Sequence, residues 1–235
     1  MVTINESASG LPASVRSDLS RYVDAAVGLA GDRLVSLAVF GSVLTADWRA
    51  SVPIHHAIVT ADDDLPLIAA LGRGLRQPAK KAGLSVPLLL TPALIRSSQD
   101  TYPLEWLEMS ACHAILAGSD LFLDLVCERE PIRLQCEREA TSLAMALRQR
   151  VLRAGSLQVP LEDLAEQALR VVRGLVHLRG GQSMRAPSAV IAHADNVLAC
   201  DLQPILRAWR AETGTDLTSL LHTALTALGT LSDRE

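Results

Sequence analysis

Aromatic side chains are scarce in this sequence. Trp, Tyr and Phe together supply 3% of its residues, too few for the stacking platforms that hold single-stranded nucleic acid. Positive charge is not in excess either: 22 Lys and Arg against 26 Asp and Glu leave a formal charge of −4. The basic footprint of a nucleic-acid-binding protein is therefore missing, which argues against nucleic acid as a partner and leaves room only for a local basic patch. Paired cysteines are lacking as well. Cys112, Cys127, Cys136 and Cys200 stand far apart, and no C-x-x-C spacing offers a zinc knuckle. Reduced, mostly buried thiols are the expectation. No apolar run approaches the ~20 residues that cross a bilayer, so no membrane partner is expected. The first ten residues, MVTINESASG, carry Glu6 and no apolar stretch, unlike a secretory leader. The expected compartment is the cytoplasm.

What is present is core material. Hydrophobic residues make up 49% of 235, enough for one large domain or two small ones. Residues 11–30 place Leu11, Val15, Leu19, Tyr22, Val23, Ala26 and Leu29 on one helical face, and Gly31 ends the pattern. Strands are expected at 33–40 (RLVSLAVF), 52–60 (VPIHHAIVT) and 84–91 (LSVPLLLT), with Pro53 at a strand start or edge. Asp62, Asp63 and Asp64 precede a helical run and suit its positive N-terminal end; metal binding by this run is the weaker alternative. Thr91 and Pro92 open a short helix. Residues 102–109 (YPLEWLEM) and 113–116 (HAIL) read as two further short strands. After Pro131 the character changes to a long amphipathic helix ending at Gly155, then helices at 160–179, 187–199, 203–212 and 216–231. The chain thus divides into a mixed domain over 1–130 and a helical domain over 131–235.

Gly41-Ser42 follows the first strand, where a glycine permits a sharp turn and a serine offers a hydroxyl and a backbone N–H to a phosphate. The stretch FGSVLTADWRASVPIHHAIV, set in the order helix, strand, GS, loop, strand, helix, strand, resembles the nucleotidyltransferase superfamily that includes DNA polymerase beta and kanamycin nucleotidyltransferase. In that family the pattern runs G-S-x-A-x-G-D-x-x-x-x-S-D-x-D. Without gaps, Gly41 and Ser42 fall on its GS, Asp47 on the loop aspartate, Val52 on the serine, and Pro53 and His55 on the two metal-binding aspartates. The run LLLTPALIRSSQDTYPLEWLEMSACHAILAGSDLF and the helix LQCEREATSLAMALRQRVL resemble a bacterial subgroup of these proteins. The resemblance covers roughly residues 30–155. It implies an α+β fold, with an N-terminal nucleotidyltransferase-like mixed sheet followed by a C-terminal α-helical bundle, and a nucleotide as ligand.

The chemistry does not carry over with the outline. Nucleotidyl transfer in this family uses two Mg²⁺ ions, hard cations that take carboxylate oxygens. Pro53 has no ligand atom, His55 is a poor Mg²⁺ ligand, and the strand at 84–91 has no acid. Glu105 and Glu108, three apart on an expected strand, would face opposite sides and not share a site. His55 and His56 would likewise face apart. Arg133, Arg138, Arg148, Arg150, Arg153, Arg170, Arg173 and Arg179, interleaved with glutamates, suit a salt-bridged face; the sharper alternative is that a few hold phosphates.

The expectation is therefore a catalytically degenerate member of the family with no cofactor, regulating or scaffolding through a nucleotide or a protein partner. Gly41 and Ser42 are the candidate phosphate-binding residues; Pro53 and His55 mark the lost metal site; no catalytic or metal-ligating residue is nominated. Two alternatives stay open. One is an active, Mg²⁺-dependent nucleotidyltransferase acting on a small molecule or protein. The other is a structural protein without ligand, such as a homodimer.

Overall fold

The computed structural model describes residues 11–181, 184–212 and 214–235, with the Thr215 side chain left aside. The first ten residues, whose composition is unlike a secretory leader, lie outside them. The described chain divides by its contacts into two compact units. One comprises the residues up to Gln99 together with Met109–Leu125; the other comprises Asp100–Glu108 and Val126–Glu235.

The first unit is built on a four-stranded sheet. Strand β1 (Leu34–Phe40) pairs antiparallel with β2 (His55–Thr60) and with β4 (His113–Gly118), while β3 (Leu88–Leu90) pairs parallel with β2, giving the order β3-β2-β1-β4. Helix α1 (Ala13–Ala30) buries Leu19, Tyr22, Val23 and Ala26, the apolar face expected from their spacing, and ends at Gly31 with φ +55°. Helix α2 (Leu65–Lys81) starts where Asp64 accepts the Leu67 N–H at 3.1 Å and pairs with Arg33 at 2.9 Å. The acidic run is thus a helix cap, with Asp64 the capping residue. Leu67, Leu71 and Leu75 of α2 join Leu37, Val39, Ile58 and Leu116 of the sheet in one core. Ala38 and Ala57, on the opposite face of β1 and β2, are fully buried too, which is why Leu37–Val39 and Ala57–Val59 are apolar without alternation. Strand β3 is shorter than expected: Leu84 makes only an isolated bridge to Ile54 before the ladder resumes at Leu88.

Short helix α3 (Pro92–Ser97) is capped by Thr91. The next element corrects the sequence reading. Residues expected as a strand at 102–109 form helix α4 (Pro103–Ala111). The run is too short for periodicity to decide between the two states. The local signal was Pro103 at the first helical position, followed by Glu105 in the first turn, both favourable at a helix start.

The second unit is helical: α5 (Arg129–Ala154), α6 (Glu162–Leu178), α7 (Pro187–Leu198), α8 (Gln203–Trp209) and α9 (Thr215–Ser232). Gly155, at φ +60°, terminates α5 in the left-handed conformation. Helix α6 touches α5, α7, α8 and α9 and is buried almost all round. A Cβ at Gly174 would come within 2.5 Å of Leu104 and 2.6 Å of Cys136, so the glycine sets how closely α6 can approach α4 and α5.

Candidate functional site

The chain leaves β1 at Phe40 and turns at once through Gly41–Leu44, a short 3₁₀ segment. Gly41 takes φ +81°, a conformation that favours glycine. Its N–H donates to Cys112 O at 3.0 Å, so that donor is used by the fold. The Ser42 carbonyl accepts both the N–H (2.9 Å) and the hydroxyl (2.8 Å) of Thr45. The half-buried Ser42 hydroxyl itself has no hydrogen bond among the described residues.

Pro53 stands just before β2, consistent with its missing N–H. His55, the first residue of β2, is the cross-strand partner of Phe40, and the two rings stack with centroids 5.9 Å apart. The fold therefore brings Gly41, Ser42 and His55 to one end of the β1–β2 pair. Asp47 lies in the intervening loop, its N–H donating to Thr45 Oγ1 at 3.3 Å. Trp48 packs on the core beneath α1 and α2 and donates its indole N–H to Val52 O at 3.2 Å.

His56 points to the other face of the sheet. It is 1% exposed, and its Nε2 lies 2.6 Å from the Tyr22 hydroxyl. Burial, aided by neighbouring His55, lowers its pKa to about 4, so the imidazole is neutral at pH 7. Burial raises the Tyr22 phenol. A contact between residues 34 apart in sequence leaves no local signal.

A second pair that the sequence reading passed over closes the far side of the sheet end. His113 directs Nδ1 to Met109 O at 2.7 Å and Nε2 to the Asp120 carboxylate at 3.1 Å. Burial pulls the Asp120 carboxyl upward, but the Phe122 N–H and His113 outweigh it and leave the pKa lowered. The pair ties the turn after β4 to the strand's start.

The residues present do not fit a two-metal centre. Pro53 offers no donor atom, the His55 imidazole is stacked on Phe40, and β3 consists of three leucines. Among the described residues no three His, Cys, Asp or Glu side chains converge in a way that could hold a metal ion. Glu105 and Glu108 do not supply one, for a different reason from the one expected. On a helix they share a face, and there Arg170 meets Glu105 at 2.9 Å and Glu108 at 3.3 Å, while Arg173 meets Glu108 at 3.0 Å. Gln135 extends the network to Glu105 at 2.8 Å and to Glu139 at 2.5 Å, and accepts the Leu104 N–H at 2.9 Å. Burial raises the Glu139 pKa, opposed by the Gln135 bond and reinforced by Glu105. Arg133 pairs with Glu130 and Glu137, Arg150 with Asp163, and Arg179 with Glu235. These arginines are bound to carboxylates of the chain itself.

No protein-family model matches this chain, and no curated protein matches it. A solved structure that it resembles is that of spectinomycin adenyltransferase AAD(9) from Enterococcus faecialis, with ATP and spectinomycin. The two share 10% identity at a TM-score of 0.57, over 93% of this chain and 98% of that one. The likeness shows the fold: a nucleotidyltransferase-like α+β arrangement with a C-terminal helical region.

Proposed function

We propose that this chain is a nucleotidyltransferase-fold protein without metal-dependent nucleotidyl transfer. In this reading it acts as a regulatory or scaffolding binder that takes a nucleotide at the Gly41-Ser42 turn. One observation carries the reading. At the end of the β1–β2 pair, the positions that align with the family's metal-binding acids hold Pro53 and a His55 stacked on Phe40. Two-metal phosphoryl chemistry depends on carboxylates that fix both ions, and here they have no counterpart. The nucleotide half of the reading is supported by the Ser42 hydroxyl, left without a hydrogen-bond partner among the described residues beside a glycine at φ +81°. A structural neighbour is a protein crystallised with ATP and spectinomycin, which makes nucleotides the ligands to try first.

The test is a thermal-shift titration with ATP, GTP, CTP and UTP, each with and without Mg²⁺ or Mn²⁺. A ligand at a hundredfold excess over Kd adds about 2.7 kcal/mol to the native state. A shift independent of metal and abolished by Ser42→Ala is the expected result. A shift that requires metal, together with pyrophosphate release, would replace this reading by an active transferase. No shift with any nucleotide would leave a protein partner or a second copy of the chain as what the fold binds.

A further inference from the structure

Helix α2 carries Arg73, Arg76, Lys80 and Lys81, and none of these four side chains has an ion pair or hydrogen bond among the described residues. This is unlike Arg133, Arg150, Arg170 and Arg173, each of which is matched to a carboxylate. Arg76 and Lys80 stand at the rim of a cleft of about 540 Å³ that opens between α2 and the segment leading into β3. Leu71 and Leu75 form one wall, Leu84, Val86 and Leu89 the other, and Ile58 lies beneath with Tyr22. The cleft exists because β3 is an edge strand of three residues. Between the Ile54–Leu84 bridge and Leu88 no strand pairing holds the chain, and Val86 is 89% exposed. The volume lies within the range of ~300–1,000 Å³ typical of small-molecule sites, and the lining, apolar with a few polar groups, is of the same kind.

Gly72 lines the same cleft. A Cβ built there meets nothing within 4 Å, and its φ is ordinary. Nothing in the packing requires glycine at this position, which inside a helix is less favourable than alanine. Two residues on, at Gly74, the surroundings are closer: a Cβ there would meet the end of the exposed Leu29 side chain at 2.5 Å. Gly72, exposed and without a side chain, leaves open space on this wall of the cleft.

We infer that this cleft binds a small amphipathic anion, an aliphatic or aryl carboxylate whose chain lies between α2 and β3 and whose head sits on Arg76 and Lys80. Unmatched cations beside an apolar wall attract an anion more strongly than they would in open water, and Arg76 offers a fork suited to a carboxylate. The site lies on the helix-covered face of the sheet, opposite the face that bears His55 and Phe40. It is independent of the nucleotide reading, and its test contains no nucleotide.

The test is isothermal titration calorimetry on the full chain. Decanoate is used below its micelle-forming concentration, with decanol and decyltrimethylammonium as neutral and cationic counterparts. Saturable one-to-one binding of decanoate is expected, at least tenfold tighter than decanol, with no binding of the cation. Gly72→Leu, which fills the cleft from a position with room for a side chain, is expected to abolish binding. The double substitution Arg76→Gln with Lys80→Gln, confined to the rim of the cleft, is expected to reduce decanoate to the affinity of decanol. It decides the matter even if Gly72→Leu does not fold. The inference is overturned if decanoate gives no saturable binding, if decanol binds as tightly, or if decanoate binds the double variant as it binds the unaltered chain.

Discussion

The α/β unit buries a polar pair without an ion pair, and the helical unit holds a half-buried cluster of ion pairs. Beneath α1, His56 and Tyr22 are sealed into an apolar core as a neutral pair joined by one 2.6 Å hydrogen bond. Between α4, α5 and α6, by contrast, two arginines and three glutamates stay together, bridged by Gln135. The difference follows from what surrounds each group. A single imidazole with no carboxylate nearby is least unfavourable uncharged, so burial lowers its pKa. Several opposite charges on adjacent helices can satisfy one another, provided none is removed. One arrangement is sensitive to protons, the other to the loss of a partner.

The largest expected effect tests the second of these. Arg170→Met leaves Glu105 and Glu108 without their shared cation and is expected to destabilise the chain by about 3–5 kcal/mol in urea denaturation. Adding Glu105→Leu to it removes the carboxylate left without a cation, while Glu108 keeps Arg173, and should restore part of the loss. A single variant within about 1 kcal/mol of the parent, the value of a surface pair, would show that the network contributes no more than an exposed salt bridge does.

The next effect concerns pH. The folded-state pKa of His56, about 4, lies below the ordinary 6.5. Between those values the unfolded chain takes up a proton that the folded chain refuses. The contribution is full above pH 6.5 and is lost as pH falls toward 4. The loss comes to about 3 kcal/mol in total, because each pH unit separating the two values is worth about 1.4 kcal/mol. Denaturation midpoints measured from about pH 7.5 down to about pH 4.5 should fall more steeply in the parent than in His56→Phe. Parallel curves would mean that the buried imidazole does not titrate as its surroundings imply.

The smallest effect isolates the hydrogen bond. Tyr22→Phe keeps the ring and removes the hydroxyl, leaving His56 Nε2 without a partner in the core. A loss of about 1–2 kcal/mol at neutral pH is expected. A Tyr22→Phe chain as stable as the parent would assign the holding of His56 to packing alone.

Much of the fold was legible because its signals are local. The face of α1, the Asp64 cap of α2, the Thr91 cap of α3 and the Gly155 stop of α5 all lie within a turn or two of the elements they define. The candidate site was legible in outline for the same reason. Gly41-Ser42 sits at a strand end, and pairing places His55 opposite Phe40. The His113–Asp120 pair was missed because one partner lies in a turn whose path depends on the rest of the unit. The helix α4 was missed because a short apolar run fits two periods, and that error reversed the facing of Glu105 and Glu108.

By itself, then, the sequence determined which segments are helix and which are strand wherever the pattern was long or capped. It also determined that no acid stands at positions 53 and 55. Only the tertiary structure decided that His56 is neutral, that Glu105 and Glu108 belong to Arg170, and that a short edge strand leaves a cleft beside Arg76 and Lys80. Secondary structure is chosen by neighbours along the chain. Charge state and cavities are chosen by neighbours in space, which a sequence brings together only once it has folded.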